Sequence, residues 1–257
     1  MGSRNYDYIV VGAGSAGCAL AARLAERRIC SVLLIEAGVR SFNPWVKIPL
    51  GVGRLYNNKS VHWQFTTEPE PSLNGRRMYL PTGKILGGSG SINGLLFARG
   101  APEEYDRLSK LGCTGWSYSD VLPYFRRLEN YQGDRSSYRG YGGPISVSDV
   151  PHRDALTEAF YHSCLDLGIP EAGDYNGQHY EGVSYLQLST RSGIRCSSAT
   201  GYLPKTRSLS NFTLITNTIV TKVIMKSKKA IGVCLQNSDG SQCNAYADNE
   251  IILSAGA

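Results

Sequence analysis

The sequence predicts an α/β fold with a parallel sheet, and three observations support this class. Residues 8–11 and 31–36 are short, continuous apolar runs of the kind found in strands that are buried on both faces. Between them, residues 16–28 carry small and apolar side chains at the density of a helix. A right-handed crossover through such a helix brings the two strands into one parallel sheet.

After this unit the chain has a long segment with little hydrophobic periodicity, followed by two segments with the periodicity of helices. Residues 42–78 form a long excursion rich in proline, asparagine, glycine and aromatic residues, which is typical of a functional or covering loop. Helices are expected at 102–111 and 119–130, the second with Ser119 as its N-cap. The polar, glycine-rich residues 132–143 mark the expected boundary of the first domain.

The second half of the chain has an α+β part followed by a β-rich part. Residues 143–148 and 184–189 alternate like strands on either side of an expected helix at 154–167, and a short helix is expected at 197–205. The chain then continues with three β-rich runs at 212–225, 230–237 and 244–253. These runs predict a β-meander.

Charge and cysteine content exclude several classes of protein. The 27 basic and 21 acidic residues give a net charge of +6, and the basic residues occur as scattered pairs, so solvated faces are expected and nucleic-acid binding is not. The seven cysteines are odd in number and include no C-x-x-C pair, so neither a disulfide framework nor a metal site is expected. Cys18 and Cys30 are expected to be buried, unreactive thiols.

No membrane span is expected, because the chain has no apolar run of about 18 residues. The core pattern begins by Tyr6, which leaves no room for a secretory signal. The expected location is therefore intracellular, either cytoplasmic or organellar, with mitochondria an option if a transit segment is missing.

The glycines of a G-x-G-x-x-G motif follow the first strand. Gly12 permits a tight turn, Gly14 permits close approach of a pyrophosphate, and Gly17 permits the helix to pack on the strand. Glu36 ends the second strand, where a carboxylate can accept hydrogen bonds from a ribose diol and would repel a 2′-phosphate. The unit is therefore predicted to be Rossmann-like and to bind FAD or NAD in preference to NADP.

A second glycine-rich segment lies between the excursion and the first of the later helices. Gly87, Gly88 and Ser89 offer backbone and hydroxyl donors to a pyrophosphate, and Asn93 and Gly94 offer amide groups to a flavin ring. This segment favours FAD over NAD. From the residues alone, a loop packed against the sheet without a ligand is the alternative.

The second segment also carries a family resemblance. Residues 83–106 read Gly-Lys-x-Leu-Gly-Gly-Ser-Gly-x-Ile-Asn, followed by Phe97, Gly100 and Asp106, and resemble the first signature of the glucose-methanol-choline (GMC) oxidoreductases, which are FAD enzymes. The chain is most similar to the N-terminal part of the choline-dehydrogenase-like branch. The resemblance continues through residues 115–125, 195–199 and 220–223.

The resemblance implies an interleaved architecture in which an α+β substrate domain interrupts the FAD-binding domain. Residues 1–142 and 212–257 are then parts of the FAD-binding domain, and residues 143–211 begin the substrate domain. Residues 254–257 would be the strand turn that returns to the cofactor.

The resemblance also implies roles for single residues. Glu36 would bind the adenosine ribose, the backbone of Val220 would approach the adenine, and residues 93–96 would line the flavin edge. Motifs and resemblance together give the following candidate cofactor-binding residues: Gly12, Gly14, Ser15, Ala16, Gly17, Glu36, Ala37, Ile85, Gly87, Gly88, Ser89, Asn93, Gly94, Leu95, Leu96 and Val220.

The sequence departs from the family in two places. Some choline oxidases bind flavin covalently through a histidine where this chain has Ile92, so noncovalent FAD is implied. Family members also have a second signature, beginning near Gly256, and a late histidine pair that takes the alcohol proton; this chain has no matching residues, so no catalytic residue is predicted in it. Its four histidines are expected to be packing or surface residues: His62, His152, His162 and His179.

The implied function is that of an FAD-dependent oxidoreductase acting on the CH–OH group of a small alcohol, with hydride passing to flavin N5. The electron acceptor is a quinone or carrier, or oxygen. The chain is a fragment on this reading and is not expected to turn over alone. The alternatives are a fatty-acid photodecarboxylase of the same fold, a noncatalytic truncated FAD-binding paralogue, and a plain NAD-binding protein.

Overall fold

The computed structural model describes residues 4–40 and 43–256 of the chain. They form two compact units, the first within Met1–Gly94 and Ser197–Ala257 and the second within Leu95–Cys196. The sequence predicts functional domains with borders at 142/143 and 211/212. A compact unit reflects packing, whereas a substrate domain is defined by its ligand, so the assignment of functional domains stays a prediction.

The described residues form seven α-helices and thirteen strands. The helices are α1 (Ser15–Glu26), α2 (Pro44–Lys47), α3 (Val52–Leu55), α4 (Pro102–Lys110), α5 (Tyr118–Leu128), α6 (Ala155–Asp166) and α7 (Ser198–Thr206). The strands are β1 (Arg4–Val11), β2 (Val32–Ile35), β3 (Phe65–Thr66), β4 (Tyr79–Leu80), β5 (Glu129–Tyr131), β6 (Ile145–Asp149), β7 (Gln187–Leu188), β8 (Thr190–Arg191), β9 (Ile194–Arg195), β10 (Phe212–Ile215), β11 (Thr218–Lys226), β12 (Lys229–Asn237) and β13 (Gln242–Leu253). Short 3₁₀ helices lie at Pro49–Gly51, Pro71–Leu73 and Gly88–Ser91.

The first unit contains a six-stranded sheet in the order β10-β2-β1-β13-β12-β11. Strands β10, β2, β1 and β13 are parallel, and β13, β12 and β11 form an antiparallel meander. The sequence prediction of a mixed α/β fold with a parallel sheet and a meander is confirmed. Counted in chain order, the parallel strands are arranged 3-2-1-4, which matches the first four strands of the doubly wound order 3-2-1-4-5-6.

Apolar side chains form two buried clusters from alternate positions of these strands. Val10 and Leu34 pack with Ala21 of α1 and Leu203 of α7, and all four side chains are fully buried. The second cluster joins the parallel strands to the meander and consists of Ile9, Val11, Leu33, Ile35, Val233, Leu235, Ala245 and Ala247. Helix α7 therefore belongs to the packing of the first unit, although its residues lie in the segment predicted to begin the substrate domain.

The β-rich run at 212–225 is divided into two strands, where the sequence predicts one. Between β10 and β11, Asn217 has a left-handed backbone with φ of 56°, and its N–H donates to Gly38 O at 2.9 Å. Asparagine tolerates this conformation because its short polar side chain carries a smaller penalty there than other side chains do. The turn lets β10 pair with β2 and β11 pair with β12.

Helix α5 begins at Tyr118, one residue before the predicted start, and the prediction of Ser119 as its N-cap is wrong. Ser117 is the N-cap: its hydroxyl accepts from the N–H of Asp120, and the Asp120 carboxylate accepts from the N–H of Ser117. This reciprocal pair satisfies two exposed backbone donors at once. Ser119 lies inside the first turn, 2.9 Å from the Ser117 hydroxyl oxygen.

The second unit contains helices α4, α5 and α6 and a small sheet formed by strands β5, β6 and β7. Its most buried large side chains are polar: Glu129 and Arg139 are fully buried, and Arg99 and Gln187 are nearly so. The charged groups contact one another, since Glu129 forms ion pairs with both Arg99 and Arg139. The polar core of this unit is a finding that the sequence does not predict.

Of the two cysteines expected to be buried, Cys18 is buried and Cys30 is only partly so. All seven cysteines are free thiols, and Cys18 is fully buried, with its thiol donating to Ala13 O at 3.1 Å. Burial, followed by the charge of Glu36, raises the pKa of the Cys18 thiol to about 12, so this thiol is unreactive near neutral pH. Within 4–40 and 43–256, no helix is long and apolar enough to cross a membrane, and no group of three metal-ligating side chains is found.

Candidate functional site

A cleft of about 730 Å³ opens where β1 and β13 end. Val11 and Gly12 at the end of β1 line it, together with Leu253 and Ser254 at the end of β13. In the 3-2-1-4 order these two strands flank the point at which the chain changes direction across the sheet. Doubly wound sheets bind their ligands in the crevice at this position.

Two glycines of the first motif allow the turn after β1 and the close packing of α1 against it. Gly12 has φ of 95°, and a Cβ placed on it would lie 2.5 Å from Ser254 O. A Cβ on Gly17 would lie 1.9 Å from Gly12 O, so helix α1 packs this close only because residue 17 has no side chain. Gly17 does not line the cleft, and its contribution is to the position of α1.

Gly14 has open space where a side chain would lie, unlike Gly12 and Gly17. A Cβ on Gly14 would meet only Gly88 Cα, at 4.0 Å, which is an ordinary contact. Gly14 is the N-cap of α1, and no side chain caps this helix end. The first-turn N–H groups of a helix have no intrahelical acceptor, and the lining residues Ser15 and Ala16 carry two of them. An anion is favoured at such a helix end.

The second glycine segment is in direct contact with the first. The N–H of Gly87 donates to Ala13 O at 2.7 Å, and a Cβ on Gly88 would lie 2.9 Å from Gly14 Cα. Gly87 and Gly88 both have positive φ angles, of 93° and 55°. Backbone without side chains therefore lines the cleft from two segments that are far apart in the sequence.

Glu36 is buried beside this junction. Its Oε2 accepts from the N–H of Ala13 at 2.9 Å, and its Oε1 accepts from the N–H of Gly38 at 2.8 Å. Burial raises the pKa of the carboxyl, while these two N–H groups and Lys84 oppose the rise. An ionised carboxylate has about four acceptor positions, so two remain for a diol or another donor in the cleft.

The cleft lining also includes residues of the excursion after β2 and of the segment that follows it, and these are absent from the sequence-based candidates. Trp63, Thr82 and Gly83 line the cleft. The Trp63 ring stacks on Phe65 with centroids 5.8 Å apart, and Lys84 Nζ lies 4.6 Å from its ring centroid. A tryptophan within a long aperiodic loop was the available signal, because such loops commonly cover sites.

The candidate cofactor-binding residues fall into three groups. Those that line the cleft are Gly12, Gly14, Ser15, Ala16, Glu36, Ala37, Gly88, Ser89 and Val220. Those in the first unit but away from the described lining are Gly17, Ile85, Gly87, Asn93 and Gly94. Leu95 and Leu96 lie in the second unit, and contact of any of these residues with a cofactor stays a prediction.

No histidine is part of the described lining of the cleft. His62 is buried at 3% exposure, and burial lowers the pKa of its ring. His152, His162 and His179 are exposed and belong to the second unit. The described cleft thus offers backbone donors, small hydroxyls and one carboxylate, a set of groups suited to binding a dinucleotide.

The fold and the cleft define a dinucleotide-binding α/β protein, and comparison with known proteins gives its family. The family model described as GMC oxidoreductase matches residues 6–257. The chain therefore belongs to the GMC oxidoreductase family.

Two curated relatives show about the same degree of similarity. An oxygen-dependent choline dehydrogenase from Vibrio vulnificus is 40% identical over 256 residues, which cover 99% of this chain and 46% of the relative. An alcohol dehydrogenase [acceptor] from Pseudomonas putida is 40% identical over 254 residues, which cover 98% of this chain and 46% of the relative. The chain thus spans about half the length of the curated relatives it matches.

Solved structures share the fold. Pyridoxine 4-oxidase from Mesorbium loti matches with a TM-score of 0.93 at 29% identity, covering 98% of this chain and 49% of that protein. An FAD-dependent oxidoreductase from Chaetomium thermophilum matches with a TM-score of 0.88 at 27% identity, covering 98% of this chain and 46% of that protein.

Proposed function

We propose that this chain supplies the FAD-binding part of a flavin-dependent oxidoreductase that acts on the CH–OH group of an alcohol. The observation that carries the proposal is the contact between the two glycine segments at the cleft, where Gly14 and Gly88 meet without side chains. The names of the two curated relatives, a choline dehydrogenase and an alcohol dehydrogenase, support the substrate class.

The residues of the cleft fit FAD. The N-terminus of α1, with Ser15 and Ala16, would hold the diphosphate, because unpaired backbone N–H groups and the helix dipole favour negative charge there. Glu36 would accept hydrogen bonds from the adenosine ribose, and Val220 would contact the adenine. The cleft volume of about 730 Å³ lies within the usual range for ligand sites, roughly 300–1,000 Å³.

Bound FAD would accept a hydride from the carbinol carbon of the substrate. In this proposal the chain's own residues bind and orient the cofactor: the glycine junction admits the diphosphate, and Trp63 with Thr82 shields that part of the cleft from water. Asn93 and Gly94 remain the proposed flavin-edge residues of the first unit. The group that takes the hydroxyl proton is not assigned to any histidine of this chain.

We further propose that the cofactor is held without a covalent bond. Ile92 is 7% exposed and packs in a cluster with Leu55, Val61 and Ile85, and an isoleucine has no nucleophilic atom. Acid precipitation of the purified flavin-loaded protein should release all flavin into the supernatant. Flavin that stays with the pellet would contradict noncovalent binding.

Gly14→Ala tests the cofactor site without disturbing the fold. The new methyl group has only one ordinary contact with the protein but would occupy the approach to the diphosphate, so FAD affinity should fall by roughly tenfold or more, or about 1.4 kcal/mol. The measurement is a titration followed by quenching of flavin fluorescence.

The matched control is Gly53→Ala, where a Cβ meets nothing within 4 Å and the residue lies in α3, away from the cleft. It should leave FAD affinity unchanged. Equal affinity for native protein and Gly14→Ala would reject the assignment of the cleft. Anaerobic loss of oxidised-flavin absorbance on adding an alcohol tests the activity of the protein that carries this chain, and we expect the 257-residue chain alone to give none.

The relatives leave the electron acceptor open between two classes. The name of one describes an oxygen-dependent enzyme and that of the other an acceptor-dependent enzyme. Comparing reoxidation of the reduced flavin by oxygen and by a soluble quinone would assign the class.

A further inference from the structure

A second cleft, of about 520 Å³, lies beside the dinucleotide cleft in the first unit. The two clefts share Ala37 and Ile219 as lining residues. Five separate segments line the second cleft: the residues after β2, the excursion, Lys84, the turn into β11, and the end of β12 with the turn that follows it. We call it the lysine cleft, because Lys59 and Lys84 are the charged residues that line it.

The lysine cleft carries positive charge without a balancing carboxylate in its lining. Neither Lys59 nor Lys84 forms an ion pair with any carboxylate among the described residues. Asp239 lies between the lining residues Ser238 and Gly240 but is not itself part of the lining. Its carboxylate accepts from the N–H and hydroxyl of Ser241 at 2.9 and 2.6 Å. Glu36, the other acid near Lys84, lines the dinucleotide cleft and not this one.

Lys84 is held in place at the boundary of the two clefts. Its backbone N–H donates to Val61 O at 2.7 Å, and its ammonium lies 4.6 Å from the centroid of the Trp63 ring. A side chain fixed in this way loses less conformational entropy when it binds a ligand than a free surface lysine does.

Amide groups complete the lining. Asn217 and Gln236 place side-chain amides, which are hydrogen-bond donors, at the cleft. Asn237 forms a fixed part of the wall, since its Oδ1 accepts from the Thr218 hydroxyl at 3.1 Å and its Nδ2 donates to the Ser241 hydroxyl at 3.0 Å. Two ammonium groups and several amide donors match a compact anion with several acceptor oxygens.

We propose that the lysine cleft binds a small phosphate-bearing molecule, separately from the cofactor. A phosphate group carries up to two charges and three acceptor oxygens, and charge-assisted hydrogen bonds to it are about twice as strong as neutral ones. The volume leaves room for an organic group attached to the phosphate. The proposal does not depend on FAD binding, because neither Lys59 nor Lys84 is assigned to the cofactor.

The test is calorimetric titration of the chain with inorganic pyrophosphate at low ionic strength. Lys59→Met and Lys84→Met should each weaken binding by roughly tenfold, and Lys84→Arg should restore most of the affinity because it keeps the charge. Lys205→Met, which removes an exposed lysine of the same unit at the end of α7, should change nothing.

Pyrophosphate can also enter the dinucleotide cleft at the start of α1, and Gly14→Ala separates the two sites. Binding that survives Gly14→Ala and is weakened in both lysine variants supports the lysine cleft. Binding that is lost in Gly14→Ala and retained in both lysine variants would overturn the proposal, as would no heat of binding at millimolar pyrophosphate. Failure of FAD to bind in a parallel titration would affect only the proposed function.

Discussion

The two compact units of this chain bury opposite kinds of side chain. The first unit closes over aliphatic residues on both faces of its sheet, with Ile9, Val10 and Leu34 fully buried. The second closes over charged residues, with Glu129 and Arg139 equally buried. Apolar burial is non-directional, whereas a buried ion pair is favourable only in one geometry. The units therefore differ in what holds them: hydrophobic transfer in the first, and specific hydrogen bonds in the second.

The charged core of the second unit connects segments that have little regular structure. Glu129 Oε1 accepts from Arg139 at 2.6 Å, and Oε2 accepts from Arg99 and from the N–H of Gly140. Arg139 also donates to Asp174 and Gln187, both at 2.9 Å. Such a network orders loops that have few apolar contacts, at the cost of desolvating several charges.

Removing the central carboxylate should have the largest effect of any single substitution in the chain. Glu129→Ala leaves two buried arginines without their shared partner, and we expect a loss of about 3–5 kcal/mol in the stability of the second unit. Amide hydrogen exchange resolved along the sequence would measure it, because each unit gives its own peptides.

A compensated variant shows whether the network stabilises the unit or specifies its conformation. Replacing Arg99, Glu129 and Arg139 together by methionine, leucine and methionine should cost far less than Glu129→Ala, because no uncompensated charge remains. An equal or greater loss in the triple variant would contradict the idea that desolvation offsets most of the pairing energy. A loss below about 1 kcal/mol in Glu129→Ala would contradict burial of the network itself.

In the first unit the corresponding loss comes from a cavity. Leu34 lies in β2 with no exposed surface and packs in the cluster with α1 and α7. Leu34→Ala should destabilise this unit by about 2–5 kcal/mol. Unlike the charged network of the second unit, this site has no charged partner whose replacement would restore the lost stability. The same exchange experiment reports it, with increased exchange expected in β1, β2 and α1. Unchanged protection there would mean that the sheet tolerates the cavity by collapsing.

The next effect in size separates the two roles of glycine in the first unit. Gly17→Ala places a methyl group 1.9 Å from Gly12 O, so α1 must move, and we expect a loss of about 1–3 kcal/mol. Gly53→Ala, in helix α3 with open space around it, should be neutral or gain up to about 1 kcal/mol. Urea unfolding of the two variants and native protein compares them directly. Equal stability of both variants would mean that the close approach of α1 to the turn is not required.

Sequence reasoning recovered the parts of the first unit that have local signatures. The turn after β1, the helix after it and the carboxylate at the end of β2 follow one another along the chain, and each has a physical reason for its residue type. The pairing of β10 with β2 could not be read in this way, because Phe212 and Val32 lie far apart in sequence. The packing of α7 against α1 could not be read for the same reason, since Leu203 and Ala21 are also far apart in sequence.

The charged core of the second unit has no sequence signature at all. Arg99, Glu129 and Arg139 share no period, and isolated charges are most often exposed. For Trp63 at the cleft the signal is only partial, since a long aperiodic loop indicates a cover but not which of its side chains turn inward. Local rules predict elements and glycine turns, whereas buried polar networks arise only when distant segments meet.

The smallest effect is expected from an acid-sensitive contact of Asp7 in the first unit. This carboxylate is partly exposed, in contrast to the buried Glu129 of the second unit. Asp7 Oδ2 accepts from the N–H and hydroxyl of Ser31 at 2.6 and 2.7 Å, and these bonds hold the carboxyl pKa below its usual 3.8. The contribution of Asp7 to stability is therefore fully present above pH 3.8 and is lost as pH falls through the lower folded pKa.

Asp7→Asn should lower the urea midpoint near neutral pH, and the difference from native protein should shrink in acid. Asp248→Asn, at an exposed aspartate of β13, is the control. A difference that stays constant with pH would show that Asp7 acts through its shape and not its charge.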